Sequence, residues 1–195
     1  MVIAAPRTIA RPLTYDDLAA MPDDGRRYEL INGELFELTG ATPKHQRAVM
    51  RLSANLYDFV NDRELGEVFL APLDVCFTPH NTVQPDIIYV SRERRDIVRE
   101  QKIEGVPDLL MEVLSPTNRR HDVVTKAALY ATFGVPEYWL IDPERDTILV
   151  QTLRDGVYLP IQSTDGIARS RVVPGFEANP DDVFAEPSWM RGTAD

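Results

Sequence analysis

Pro85-Asp86-Ile87-Ile88-Tyr89-Val90 and Pro107-Asp108-Leu109-Leu110-Met111-Glu112-Val113-Leu114 are apolar runs of strand length, each carrying an acid in an unwelcome place. Asp86 opens the first run and Glu112 interrupts the second. Strands covered on both faces are normally apolar throughout. A carboxylate buried among them is costly unless it is paired, protonated or bound to a metal. Lys126 follows on a segment with helical character. Two acids and an amine in such positions suggest an oxygen-ligated cation with a positive charge beside it. That combination is the equipment for hydrolysing a phosphodiester.

Outward from these runs the chain alternates between strands and helices. Upstream, Thr14 precedes Tyr15-Asp16-Asp17-Leu18 as the cap of a short helix that ends before Pro22. Arg27 to Leu38 predicts a β-hairpin, with Asn32-Gly33 at the positive-φ positions of a tight turn. Val49, Leu52, Leu56, Phe59 and Val60 recur at helical spacing over 43–61. Strands are expected at 67–70 and 73–78, then a loop through Pro79 to Gln84. The charged run from Arg92 to Lys102 reads as a solvated helix or loop. Downstream, a helix over 119–133 is expected to present Val123, Ala127, Tyr130 and Phe133 on one side and to stop at Gly134. Glu137 to Asp142 is a further buried strand, and two strands closed by Asp155-Gly156 follow. From about Phe176 onward the chain reads as a short tail with one helical turn near 181–184. The order predicts one α/β (α+β) domain over 12–185, with tails at 1–11 and 186–195 and a mixed β-sheet flanked by helices.

A length of 195 residues, 44% hydrophobic and 27% charged, suits such a domain. The net charge of −10 argues against a general nucleic-acid coat protein, although it leaves room for an enzyme with a local basic patch and bound cations. One cysteine, Cys76, and three histidines make a thiolate zinc site a poor expectation, and Cys76 reads as a core residue. The amino terminus lacks the apolar stretch of a signal peptide, and no apolar run is long enough to span a membrane, so a cytoplasmic location is expected.

If the strands after Asp86 and around Glu112 pair, the two acids become neighbours and offer Mg²⁺ or Mn²⁺ hard oxygen ligands, with the Val113 carbonyl as a third. Asp86 alone is equally well read as a Pro-Asp turn before a strand. Asp122 and Lys126 are four residues apart on one helix face, which is also the spacing of an ordinary surface ion pair. His121 beside Asp122 is expected to be exposed. Glu34 and Glu37 are expected to be solvated hairpin positions, and Tyr138 and Trp139 to be core.

Together, Pro85 to Val90, Leu109 to Tyr130 and Gly134 to Asp142, with the upstream Tyr28-Glu29-Leu30-Ile31-Asn32-Gly33-Glu34-Leu35 hairpin, resemble the Uma-type putative restriction endonuclease family of the PD-(D/E)xK nuclease superfamily. The resemblance covers roughly residues 13 to 160. It implies a restriction-endonuclease-like core and a Mg²⁺-dependent endonuclease acting on DNA. It puts the acidic pair on Asp86 and Glu112 and an upstream acid on Glu29. Leu114 stands where the superfamily has its lysine, and the likeness implies that Lys126 takes that role, with Asp122 orienting it. His45 at the start of the long helix reads either as a supporting or phosphate-facing group near the site, where the family often has a histidine, or as a helix-entry surface histidine. Gln84, two residues before Asp86, reads as a group that contacts substrate or positions Asp86. Arg119 and Arg120 become candidate phosphate contacts. Cutting both strands of a duplex would favour a homodimer. Two alternatives stay open: a catalytically degenerate nuclease fold serving as a binding or assembly module, and a hydrolase of small phosphoesters.

Overall fold

A computed structural model of the chain describes residues 11–116 and 119–190. Helix α1 (Tyr15–Ala19) begins at a capping box in which Thr14 and Asp17 satisfy each other's backbone N–H groups. The hairpin follows as β1 (Arg27–Ile31) and β2 (Glu34–Leu38), with φ of 54° at Asn32 and 75° at Gly33. A Cβ at Gly33 would also collide with Pro12, so two constraints fix glycine there. Helix α2 (Pro43–Asp62) starts at the Thr42 cap and buries Ala48, Val49, Leu52, Leu56 and Val60.

Strands β3 (Gly66–Leu70), β4 (Asp74–Thr78), β5 (Asn81–Val83) and β6 (Ile87–Ser91) come next. Then β7 (Lys102–Glu104) and β8 (Leu109–Val113) lead into a helical stretch that ends as α3 (Ala127–Phe133), stopped by Gly134 at φ 81°. After it come β9 (Glu137–Asp142), β10 (Thr147–Arg154) and β11 (Val157–Pro160). Among the described residues the long sheet has the order β11-β10-β9-β8-β6-β3 and the shorter one β2-β1-β5-β4-β7. Ladders β8–β9 and β4–β7 are parallel and the others in these two sheets antiparallel, so the expected mixed architecture holds.

The long sheet is covered on both faces, which is why its central strands are apolar on both. One face, with Ile87, Tyr89, Leu109, Met111, Trp139 and Ile141, packs on α2. The other, with Ile88, Val90, Leu110, Tyr138 and Leu140, packs on Ile31, Val75, Val83 and Ile103 of the shorter sheet and on Leu129 and Tyr130 of α3.

Three expectations are corrected. Asn81–Val83 is a buried strand rather than loop, joining the hairpin to β4; three residues are too few to show a period. Residues 119–133 are helical, but His121–Lys126 forms a π-helical segment, and its buried residues are Asp122 and Lys126 while Val123 is 39% exposed. The helix turns its charged stripe inward because acids across the interface receive it.

The third correction concerns the carboxyl-terminal segment. Phe176, 2% exposed, stacks edge-on against Phe59 at 5.6 Å, and Val183 of α4 (Pro180–Phe184) is buried. Glu137, fully buried in β9, ties this segment down. It accepts hydrogen bonds from Trp139 Nε1 at 2.7 Å, Ser170 Oγ at 2.7 Å and the N–H of Arg171 at 2.6 Å. The expected tail over 1–11 lies outside the described residues except for Arg11, which pairs with Asp17. The tail over 186–195 is described only to Met190. No helix among the described residues is long and apolar enough to cross a membrane.

Candidate active site

Antiparallel pairing brings the start of one strand to the end of its neighbour. Ile87 faces Met111 across the β6–β8 ladder, so Asp86, one step before β6, arrives at the carboxyl-terminal end of β8, where Glu112 lies. The N–H of Val113 donates to Asp86 Oδ2 at 2.8 Å, which fixes that carboxylate against the strand. His45 Nε2 in the first turn of α2 stands 3.2 Å from the same oxygen.

Lys126 comes down onto this end of the sheet from the π-helical segment. Its Nζ is 2.8 Å from Glu29 Oε1, 2.9 Å from Glu112 Oε1 and 3.8 Å from Asp122 Oδ1. Exposure is 0% for Glu29, 3% for Glu112, 5% for Asp122 and 2% for Lys126, so water does little to shield these charges. Tyr130, one turn further on, donates its hydroxyl to Glu112 Oε1 at 2.7 Å. Tyr138 Oη donates to the carbonyl of Asp122 at 3.1 Å. Gln84 connects two acids, its N–H donating to Glu29 Oε1 at 2.8 Å and its amide nitrogen to Asp74 Oδ1 at 3.0 Å.

Three carboxylates share one ammonium, and they do not benefit equally. Burial would push Glu29 up, but the Lys126 charge and donation from His121, Lys126 and the Gln84 N–H overcome it and bring the group to about 2. For Glu112 burial wins over Lys126, helped by repulsion from Asp122, Asp86 and Glu29, and its carboxyl is held well above the usual range. Asp122 is pushed up to about 6 by burial, against Lys126 and with Glu29 and Asp86 adding repulsion. Burial alone would lower Lys126, but Glu112, Glu29 and Asp122 hold it above its ordinary value and keep it charged.

The Asp122 shift has a measurable consequence. The folded chain takes up this proton more readily than the unfolded chain, whose value is near 3.8. Its contribution to stability is therefore fully present below about pH 4 and is lost as pH rises through about 6. Asp122→Asn should change urea stability little near pH 4 and raise it near pH 7.5, reducing the loss across that interval. Parallel wild-type and variant curves would show that Asp122 is not the group responsible.

Among the described residues, no group of three or more His, Cys, Asp or Glu side chains forms a preformed metal cage. Mg²⁺ does not require one, because it keeps several waters and is commonly held by one or two carboxylates together with substrate phosphate. The donors here are hard carboxylate and carbonyl oxygens, and Glu29, Asp86, Glu112 and Asp122 outnumber the single ammonium. The chemistry of the set suits a hard divalent cation, and Asp86, Glu112 and the Val113 carbonyl are the groups that could hold one.

The open side of the cluster is a cleft lined by Arg27, Leu38 to Ala41, His45, Gln46, Gln84, Asp86, Glu112, Val113, Asp122 and Lys126. Asp86, Glu112, Val113, Lys126, Asp122, His45 and Gln84, all picked out from the sequence, thus meet in one place, with Glu29 behind them on Lys126. Arg119 does not face the cleft freely; its guanidinium holds Asp142 at 2.7 Å. Arg120 is exposed and outside the cleft lining. His121 departs from the expected exposure, since its Nε2 lies 3.3 Å from Glu29 Oε2. Two contributors were missed. Tyr130 repeats the four-residue spacing of Asp122 and Lys126, which was the available signal. Arg27 shares the strand period of Glu29.

Residues 15–181 match the family model Uma2, described as "Putative restriction endonuclease". Over 116 residues the chain is 29% identical to the uncharacterized protein sll1609 of a Synechocystis strain, a match covering 58% of this chain and 65% of that protein. A crystal structure described as a "putative nuclease belonging to DUF820", from Anabaena variabilis, is similar with a TM-score of 0.74 at 21% identity. That similarity covers 89% of this chain and 98% of the other. It shows that the two chains share a mixed α+β fold, consistent with a restriction-endonuclease-like core.

Proposed function

Because this chain belongs to the Uma2 family, we propose that it is a divalent-cation-dependent endonuclease that hydrolyses DNA phosphodiester bonds, acting in the cytoplasm through one domain over 12–185. The observation that carries the reading is the burial of Glu29, Glu112 and Asp122 around Lys126 at the floor of an open cleft. Ionisable groups shifted this far and gathered in a cleft support a catalytic site.

Asp86, Glu112 and the Val113 carbonyl would hold Mg²⁺ or Mn²⁺. When bound, such a cation acidifies a water and polarises the scissile phosphate. Lys126 places its charge where negative charge grows on the phosphoryl oxygens, and Glu29 and Asp122 keep the ammonium protonated and aimed. His45 holds Asp86 at the oxygen that also accepts from the Val113 N–H, and Gln84 steadies Glu29. Arg120 would contact substrate phosphate, and Arg119 would do so by exchanging Asp142 for it. Two copies related by a two-fold axis would present one such cleft to each strand of a duplex.

Isothermal titration of Mg²⁺ and Mn²⁺ into the wild type, Asp86→Ala and Glu112→Ala tests the reading. Binding to the wild type that is lost in both variants is the expected result. Mn²⁺ binding unchanged in either variant would make the acids structural and remove the metal assignment. The alternative, a catalytically inert nuclease fold used for binding or assembly, draws on the lack of a preformed cage among the described residues and on the engagement of Glu112 Oε1 by both Lys126 and Tyr130. It predicts no cation binding and no turnover.

A further inference from the structure

Arg27 and Lys126 are the arginine and the lysine that line the cleft. Lys126 is paired with three carboxylates, at 2.8, 2.9 and 3.8 Å, on the floor of the cleft. Arg27 is half-buried, and its guanidinium makes no ion pair or side-chain hydrogen bond with any described residue. Its neighbour Arg26 provides the contrast. One residue before β1, Arg26 is 2.9 Å from Glu37, an ordinary exposed pair.

Strand geometry explains where Arg27 goes. Alternate residues share a face, so Arg27 lies on the face of Glu29, two steps or about 6.6 Å along β1. Glu29 is fully buried and Arg27 is not, so this second position lies toward the mouth of the cleft. Arg27 pairs with Leu38 across the hairpin, and the next residues, Thr39 to Ala41, form the adjoining wall before α2 begins. A half-buried guanidinium loses hydration and here recovers nothing from the protein.

We infer that Arg27 binds a backbone phosphate of the nucleic acid adjacent to the one that reacts. This rests on the nuclease reading and places a phosphate-binding arginine in the cleft lining itself, where neither Arg119 nor Arg120 lies. A chain of net charge −10 with an acidic cluster repels a polyanion, and the bound divalent cation offsets that only at the reacting phosphate. Arginine suits the neighbouring position because its fork of donors meets two phosphate oxygens at once. Contacts of this kind set the register of the strand and read no bases.

The test is binding of a fluorescent DNA duplex to the wild type, Arg27→Ala and Arg26→Ala across a salt series. Ca²⁺ replaces Mg²⁺, and plasmid cleavage in Mg²⁺ is measured in parallel. Arg27→Ala should weaken binding about 10-fold, the size of one charge-assisted contact, and reduce the salt slope by about 0.9. Arg26→Ala should match the wild type, and Mg²⁺ titration should be the same for all three. Wild-type affinity and slope in Arg27→Ala overturn the inference. So does a loss of Mg²⁺ binding or of melting temperature in that variant, which would make Arg27 structural. Arg27-dependent binding by a wild type that never cleaves would retain the subsite and remove the nuclease reading. Cleavage that is indifferent to Arg27 would do the reverse. A wild type that neither binds nor cleaves overturns both.

Discussion

Supercoiled plasmid nicked by the wild-type chain in Mg²⁺ should survive the Asp86→Asn variant, with the cleavage rate down by more than about 100-fold. The figure is a lower bound, since even residues that only support a metal ligand typically cost about 10–100-fold when removed. Asparagine keeps the shape of the side chain and an oxygen able to accept from the Val113 N–H, now 2.8 Å away. What it removes is the negative charge that a hard cation needs most. Asp86 is also the least encumbered of the acids. Glu29 and Glu112 are both tied to Lys126, whereas the partners of Asp86 Oδ2 are one backbone N–H and His45. His45→Gln should therefore fall between the wild type and Asp86→Asn, because it loosens the carboxylate without neutralising it. A melting temperature close to the wild type would separate lost chemistry from lost fold. Wild-type cleavage by Asp86→Asn would remove Asp86 from the machinery and with it the proposed cation site.

The sequence yields those parts of the molecule whose cause is local. Asn32-Gly33 makes a hairpin through its own backbone preferences, Thr14 caps its own helix, and Gly134 ends α3 with the left-handed residue that such an end requires. Glu112 was legible for a different reason, since a carboxylate inside an apolar strand conflicts with its surroundings and needs a partner from elsewhere. The inward face of 119–133 was not legible locally. Val123 and Ala127 offer an apolar stripe, and only Glu29 and Glu112, 92 and 9 residues from His121 and at the far side of an interface, favour turning Asp122 and Lys126 inward instead. The role of Glu137 was hidden for the same reason, as all its hydrogen-bond donors but Trp139 Nε1 come from a segment more than thirty residues later. Phe176 has no periodic apolar neighbours to announce burial, yet it completes the packing of α2 against the long sheet. The carboxylates were visible as anomalies, and their partners became visible only in three dimensions.

Lys126→Met should be the most destabilising single change in the cleft, about 3–5 kcal/mol near pH 8, the range for breaking a buried pair by removing one partner. For a chain of this size that is a fall of about 6–20 °C in melting temperature. Methionine has nearly the reach of the lysine stem and fills most of its space, so the loss does not come from a cavity. It comes from leaving Glu29, Glu112 and Asp122 facing one another at 5% exposure or less with no cation among them. The same reasoning gives the deficit a pH dependence. All three acids can shed their charge by taking up protons; without Lys126 the value of Glu29 rises above that of the unfolded chain, and those of Glu112 and Asp122, already above it, rise further. The variant should therefore recover relative to wild type as pH falls toward about 5, where protonation relieves the repulsion. Pairing the change with Glu29→Gln should return part of the lost stability, because the carboxylate that depends most on the ammonium is then neutral. That double-mutant cycle yields a coupling energy of opposite sign to the two single effects. Additive losses, or a deficit that does not vary with pH, would mean that Lys126 stabilises the fold through its packing alone. The carboxylates would then owe their place at the cleft floor to something other than its charge.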